Sequence, residues 1–366
     1  MKICFVTQNL APFRMQWLDE LAKKNQITVY HLAEYDKSVN SNYISYTPKN
    51  IIVKENYKKI NRIKLFNIHS ILAEKPDVYV LDGYGFLAQI ELIAILRIKK
   101  IPFIMSMDGG IIPQHENIFK KIVKRFCIGT PKAFFSTSFV TDNFIIHYRK
   151  TKCTIYRHYF SSLHNNDVQP ISFEEKKKAK NNLGLTNEFI VLTVGRFIPL
   201  KGFDIILKAM RKLDNKVCMI FVGGKPTPEY DNLVKYLNPD SVKFIDFLDK
   251  EELQQYYYAA DVFVTATRSD VWGLVIGEAM AAGLPIISSN HCVAGISMIK
   301  DYKNGFIVRD DSYKSYAKYI EILRKNGKLR KKIGQNNINL IQKYTIERSA
   351  EKDQISLVKF KNAIYK

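Results

Sequence analysis

Acidic residues are the scarce class in this 366-residue chain: 35 Asp and Glu stand against 56 Lys and Arg, a formal net charge of +21. Such an excess points to an anionic partner (membrane surface, substrate or nucleic acid) or to a general bias toward lysine, and charge alone does not choose among them. Cysteine is scarce too. Cys4, Cys127, Cys153, Cys218 and Cys292 show no CxxC or metal-like spacing, which argues for reduced thiols in a cytosol rather than a disulfide framework. No run approaches the roughly 20 apolar residues that span a bilayer; the longest candidate, residues 86–96, is broken by Gln89 and Glu91. The first residues, Met1-Lys2-Ile3-Cys4-Phe5-Val6-Thr7, are strand-like and too short for a signal peptide. A cytoplasmic chain is expected, soluble or at most peripheral on the inner face of the cell membrane. No cluster of His, Cys and carboxylates has the spacing of a metal site, and there is no low-complexity tract or short-period repeat.

What is present is the material of a globular α/β protein: 46% hydrophobic and 12% aromatic residues, in a chain too long for one ordinary core. Apolar runs at 2–7, 27–31, 78–81, 102–106 and 133–136 read as buried parallel strands, and stretches 13–24, 62–73, 86–97 and 117–127 carry apolar residues at helical spacing. A polar, proline-ended stretch at 164–170 reads as a linker. A second series follows, with strands at 189–194, 217–222, 242–245, 262–265, 285–288 and 306–308, and helices at 203–212, 230–237, 251–258, 274–282 and 313–325. The pattern predicts two Rossmann-like, doubly wound domains facing a central cleft, residues 1–165 and 171–345. The closing helices are long enough for the last, about 346–366, to pack back onto the first domain.

Two stretches carry the chemistry. In Val194-Gly195-Arg196-Phe197-Ile198-Pro199-Leu200-Lys201-Gly202, a glycine exit follows an apolar strand where ligands of parallel sheets gather. Arg196 and Lys201 offer a planar fork and a point charge to phosphate oxygens, at the start of a helix whose amides favour anions. In Asp270-Val271-Trp272-Gly273-Leu274-Val275-Ile276-Gly277-Glu278, two carboxylates stand eight positions apart around a glycine-started helix. The amides near Gly273, Leu274 and Val275 face the strand-end crevice, Glu278 is placed to accept from the vicinal hydroxyls of a ribose, and Asp270 to reach a second polyol. Taken singly, each stretch is also an ordinary turn with exposed charges; together they describe a pocket for a diphosphate joined to two polyols, a nucleotide-sugar. The protein supplies the cations and no Asp-x-Asp lies near the diphosphate motif, so no metal is required.

On these residues the chain resembles the GT-B glycosyltransferases of family 4, group 1 type, over nearly its whole length and most strongly from Val194 to Pro285. The resemblance implies the GT-B fold, transfer of a hexose with retention from a UDP- or GDP-sugar to a glycan or lipid-linked saccharide hydroxyl, and a place in surface polysaccharide biosynthesis. It also implies donor-side roles for Gly195, Arg196, Lys201, Gly202 and the Gly273-Leu274-Val275 turn, and for the loops at Gly223-Gly224 and Phe247. Three departures stand out. Asp270 replaces the usual glutamate and follows Ala266-Thr267 where Pro-Ser is usual; Gln8-Asn9-Leu10-Ala11 lacks paired glycines; and Met107-Asp108-Gly109 stands where a His-Asp is frequent. Asp108 is accordingly expected near the donor sugar or acceptor, the competing reading being a simple turn opener.

Outside the motifs, residues 117–127 place Phe119, Ile122, Val123 and Phe126 on one helical face and Lys120, Lys121, Lys124 and Arg125 on another. This is the pattern of a basic amphipathic helix on anionic lipid, a candidate acceptor and membrane surface, and equally that of a core-packed helix with a solvated face. His158 reads as a structural histidine or as a group facing the cleft. Two other classes stay open: a nucleotide-sugar epimerase of the same architecture, for which no acid/base groups are found, and a basic nucleic-acid module, not expected because its motifs are absent and the cations are spread.

Overall fold

The computed structural model describes residues 1–8, 10–32, 46–55, 57–60, 63–185, 189–213, 216–235, 237–309 and 311–365. The chain forms two compact units, Met1–Ser162 with Thr345–Lys366, and Leu163–Tyr344.

The first unit runs β1 (Lys2–Thr7), α1 (Pro12–Ala22), β2 (Gln26–His31), β3 (Ile52–Glu55), β4 (Tyr57–Ile60), β5 (Ile63–Phe66), α2 (Ile68–Ala73), β6 (Val78–Asp82), α3 (Leu87–Ile98), β7 (Phe103–Met107), α4 (Ile118–Gly129), β8 (Ala133–Ser136), α5 (Phe139–Arg149) and β9 (Thr154–Arg157). Seven parallel strands lie in the order β3-β2-β1-β6-β7-β8-β9. Central strands such as Ile3-Cys4-Phe5-Val6 are buried throughout, because helices cover both faces of a parallel sheet.

One expected element is replaced. Residues 62–73 do not form a single helix: β4 and β5 pair as an antiparallel hairpin, Tyr57 opposite Phe66 and Ile60 opposite Ile63, and the helix begins only at Ile68. Tyr, Ile and Phe suit a pleated surface, and the Asn67 carboxamide oxygen accepts from Ser70 N at 3.2 Å, capping α2 at that point. Arg62, where the helix was expected to start, lies outside the described residues.

The second unit runs α6 (Phe173–Asn182), β10 (Phe189–Val194), α7 (Phe203–Met210), β11 (Val217–Val222), α8 (Pro228–Val234), β12 (Val242–Ile245), α9 (Lys250–Ala259), β13 (Val262–Thr265), α10 (Leu274–Ala281), β14 (Ile286–Ser289), α11 (Val293–Met298), β15 (Gly305–Val308), α12 (Tyr313–Lys325) and α13 (Gly327–Ile341). Its six parallel strands are ordered β12-β11-β10-β13-β14-β15. Capping boxes at Ser172/Glu175 and Asp249/Glu252 set the starts of α6 and α9. Val191, Phe203, Ile206, Phe221, Val264, Phe306 and Tyr316 belong to its buried core.

Each sheet reverses its winding once, between β1 and β6 and between β10 and β13. Loops leaving the two central strands diverge there, and the crevice beyond their carboxyl ends is where open α/β sheets bind ligands. The last helix, α14 (Ile346–Ile364), packs against α1 within the first unit.

Candidate active site

In the second unit the reversal gathers both motif stretches. β10 ends at Val194, and Gly195 N donates to the Val222 carbonyl at 2.9 Å. Gly223 leaves β11 directly beside it, with φ +127°; a Cβ there would stand 2.5 Å from the Gly195 carbonyl oxygen, so a side chain would force the two turns apart. Gly223 and Gly224 are anchored in turn to the Ile245 carbonyl, and Phe247, just beyond β12, is exposed. The Phe197 ring packs on Phe203 and Phe244, with centroids 5.0 and 5.6 Å away. That buried anchor divides the two cations. Arg196 is exposed, and among the described residues no carboxylate lies within ion-pairing distance of it. Lys201 ends a single turn, Pro199–Lys201, before α7.

From the other side of the reversal, β13 delivers Asp270. Its backbone is strapped to the segment after β14: Asp270 N donates to the His291 carbonyl at 2.9 Å, and Val293 N to the Asp270 carbonyl at 3.1 Å. Its carboxylate accepts from Trp272 N at 3.2 Å through Oδ1 and from Lys201 Nζ at 2.8 Å through Oδ2. Gly273 caps α10 at φ +95°, and a Cβ there would stand 2.6 Å from Cys292 Sγ. Burial pushes the Cys292 thiol up to about 12, Asp270 adding to the rise, so it remains a neutral packing group. Leu274 and Val275 open α10 beside Asp270. One turn further, Glu278 Oε2 accepts from the Tyr257 hydroxyl at 3.0 Å.

The geometry thus joins Lys201 to Asp270 and stacks the Gly195 and Gly223 turns, with Arg196 free to meet an anion from solvent. Two members of this constellation carry no local sequence signal. Tyr257 sits mid-helix on α9, and Cys292 matters only through contacts made by the folded chain.

In the first unit the reversal holds a different set. Thr7 ends β1 and donates through Oγ1 to Asp82 Oδ2 at 2.8 Å, Asp82 being the last residue of β6. The Arg14 guanidinium, 3% exposed, lies 2.5 Å from Asp108 Oδ2 and 3.5 Å from Asp82 Oδ2. Asp108 is therefore more than a turn opener: Arg14 grips its carboxylate, and Thr137 Oγ1 donates to its carbonyl at 2.8 Å. Burial pushes the Asp82 carboxyl up to about 6; Arg14 opposes that rise and Asp108 reinforces it. His158 is buried, its Nδ1 2.7 Å from Asp353 Oδ2 on α14, and Trp17 Nε1 donates to the same oxygen at 3.0 Å. It is a structural tie between β9, α1 and α14.

The basic helix is α4. Part of its apolar surface faces outward, Phe119 being 73% exposed, Ile118 67% and Ile122 57%, whereas Phe126, expected on the same face, packs against the core. Lys120 and Arg125 are exposed beside it and Lys121 half-buried. Lys124 is turned inward, paired with Glu116 at 2.5 Å and set 5.0 Å above the Tyr148 ring. Among the described residues no helix is long and apolar enough to cross a membrane, and no three His, Cys or carboxylate side chains converge to hold a metal ion.

Residues 174–340, within the second unit, match the family model described as glycosyl transferases group 1. The chain is 35% identical to spore coat protein SA of Bacillus subtilis over 173 residues, 44% of this chain and 46% of that protein. It is 32% identical to the D-inositol 3-phosphate glycosyltransferase of Mycobacteroides abscessus over 171 residues, 44% of this chain and 38% of that one. The chain thus spans about half the length, or less, of these curated relatives. Among solved structures, Anabaena Alr3699/HepE in complex with UDP-glucose superposes with a TM-score of 0.74 at 17% identity, covering 98% of this chain and all of that one. The architecture is that of the GT-B glycosyltransferases, two Rossmann-like α/β domains in one chain.

Proposed function

We propose that this protein transfers a hexose from a UDP- or GDP-sugar to a hydroxyl of a glycan or lipid-linked saccharide, with retention at the anomeric carbon, in the assembly of a surface polysaccharide. The observation that carries the reading is the Lys201–Asp270 pair at the reversal of the second sheet, flanked by exposed Arg196 and the first turn of α10. UDP-glucose bound by a protein of the same fold supports a uridine donor.

Cleavage of the donor's glycosidic bond leaves an oxocarbenium-like sugar and a diphosphate that gains negative charge. Arg196, Lys201 and the amides of Leu274 and Val275 stabilise that charge as it develops, each contributing on the order of 2.7–4 kcal/mol by analogy with oxyanion-hole donors. With these cations supplied by the protein, transfer proceeds without a metal. Asp270 holds Lys201 in place and meets the sugar hydroxyls, a methylene short of the glutamate reach, while Glu278 binds the ribose. Gly195, Gly223 and Gly224 let the backbone come close to the nucleotide, with Phe247 at its edge. In the first unit Asp108, fixed by Arg14, serves the donor sugar or the acceptor.

The exposed Ile118, Phe119 and Ile122, ringed by Lys120, Lys121 and Arg125, suit a surface of anionic lipid, where apolar side chains enter the acyl boundary and cations meet head groups. An acceptor carried on lipid would be met there. A panel of nucleotide-sugars tests the donor reading by thermal stabilisation: about 2.7 kcal/mol is expected at 100 times Kd. No stabilisation by any UDP- or GDP-sugar, together with no donor turnover, would overturn it.

A further inference from the structure

Within the proposed donor pocket, Glu278 is reached by a residue that neither motif contains. Tyr257 lies on α9, 21 positions earlier, and its ring is buried on β13 with its centroid 6.0 Å from that of Phe263. Its hydroxyl donates to Glu278 Oε2 at 3.0 Å. α9 is a well-defined platform: Asp249 caps it in a reciprocal box with Glu252, and its end is tied by Ala260 N to the Tyr256 carbonyl at 3.1 Å. Burial, with the Glu278 carboxylate alongside, holds the phenol protonated well above its ordinary range, so it acts as a donor throughout the neutral range. Glu278 sits on α10 with a flexible stem, whereas an aromatic side chain with two torsions loses little freedom when packed.

We propose that Tyr257 is a positioning residue for nucleotide recognition, its buried phenol fixing the Glu278 carboxylate in the orientation that grips the ribose hydroxyls. This rests on the ribose role of Glu278, and it names the part of the donor that Tyr257 governs. A carboxylate whose orientation is fixed by the phenol meets the ribose hydroxyls in a set geometry, so a ribose is favoured over a deoxyribose by geometry as well as by charge. A Tyr257 serving only to fill the space between α9 and α10 would have no influence on that preference.

The test is calorimetric binding of UDP, GDP and their 2′-deoxy analogues to the unsubstituted chain, to Tyr257→Phe and to Glu278→Gln. Tyr257→Phe is expected to weaken binding of the preferred ribonucleotide by about three- to tenfold, the worth of one hydrogen bond, while the deoxy analogue binds as before. Loss of ribose preference in Glu278→Gln but full retention in Tyr257→Phe would overturn the positioning role and leave the ribose reading standing. Full retention in Glu278→Gln would overturn both. Should Tyr257→Phe fold poorly, a crystal structure of the unsubstituted chain with the preferred nucleotide decides: Tyr257 Oη within hydrogen-bond distance of a Glu278 carboxylate that touches the ribose supports the inference, and a phenol swung away from it contradicts it.

Discussion

Lys201 Nζ lies 2.8 Å from Asp270 Oδ2, although 69 residues separate them in the chain. The pair spans the turns that leave β10 and β13, the two strands flanking the reversal of the second sheet. Both side chains are partly open, so an incoming diphosphate can share the ammonium without displacing core groups. The Asp270 backbone is tied to the His291–Val293 segment, and this makes the aspartate the fixed partner and the lysine the adaptable one.

Removing either cation should separate activity from stability. Lys201→Ala and Arg196→Ala are each expected to lower kcat for sugar transfer by about 10²–10³-fold. A partly exposed ion pair such as Lys201–Asp270 contributes only about 0–1 kcal/mol to folding, and Arg196 is exposed, so Tm should hardly move in either variant. Steady-state turnover and a thermal melt on the same preparations check both halves.

Gly273→Ala should lower stability. A Cβ at φ +95° meets Cys292 Sγ, and the backbone conformation alone costs about 1–3 kcal/mol in a non-glycine residue. A Tm lowered by roughly 3–10 °C is expected, readable by calorimetry.

The Asp82 carboxyl makes stability depend on acidity with a definite sign. Its folded pKa, about 6, lies above the ordinary 3.8, so the folded protein keeps a proton that the unfolded chain releases. The contribution is therefore present below the ordinary carboxyl range and is lost as pH rises toward about 6. Asp82→Asn should remove that slope, and denaturant unfolding of both chains between pH 4 and 7 should show their difference changing only within this window.

Binding of the outward face of α4 to lipid should need both chemistries. Vesicles containing phosphatidylglycerol are expected to sediment the protein at low salt and to release it as ionic strength rises, while phosphatidylcholine vesicles leave it in solution. Phe119→Ser with Ile122→Ser should weaken binding at least tenfold without affecting turnover of a soluble acceptor. Equal binding by the doubly substituted chain would contradict the lipid surface.

Much of the fold is legible in the sequence because the information is local. The runs at 189–194 and 217–222 are almost wholly apolar and rich in β-branched and aromatic residues, and each is followed by a glycine that marks the exit. The stretch at 62–73 misleads for the same reason: its apolar spacing fits a helical face, and only the pairing of Tyr57 with Phe66 and of Ile60 with Ile63 makes its first part a strand. α4 shows the limit of periodicity. An apolar stripe says which residues share a face, not whether that face meets the core, and here Cys127 and Ile128 turn inward while Phe119 and Ile122 turn out. At the site, the strand-turn-helix order of the motif stretches can be read from residue types. Arg14 with Asp108, and Tyr257 with Glu278, cannot, because each pair is made by packing between elements distant in the chain.

The central claim is tested most directly by a crystal structure of this chain with UDP or GDP, whichever binds more tightly. The account predicts phosphate oxygens within ion-pairing distance of both the Arg196 guanidinium and the Lys201 ammonium, above the first turn of α10. A nucleotide bound with its phosphates turned away from those two cations would contradict it.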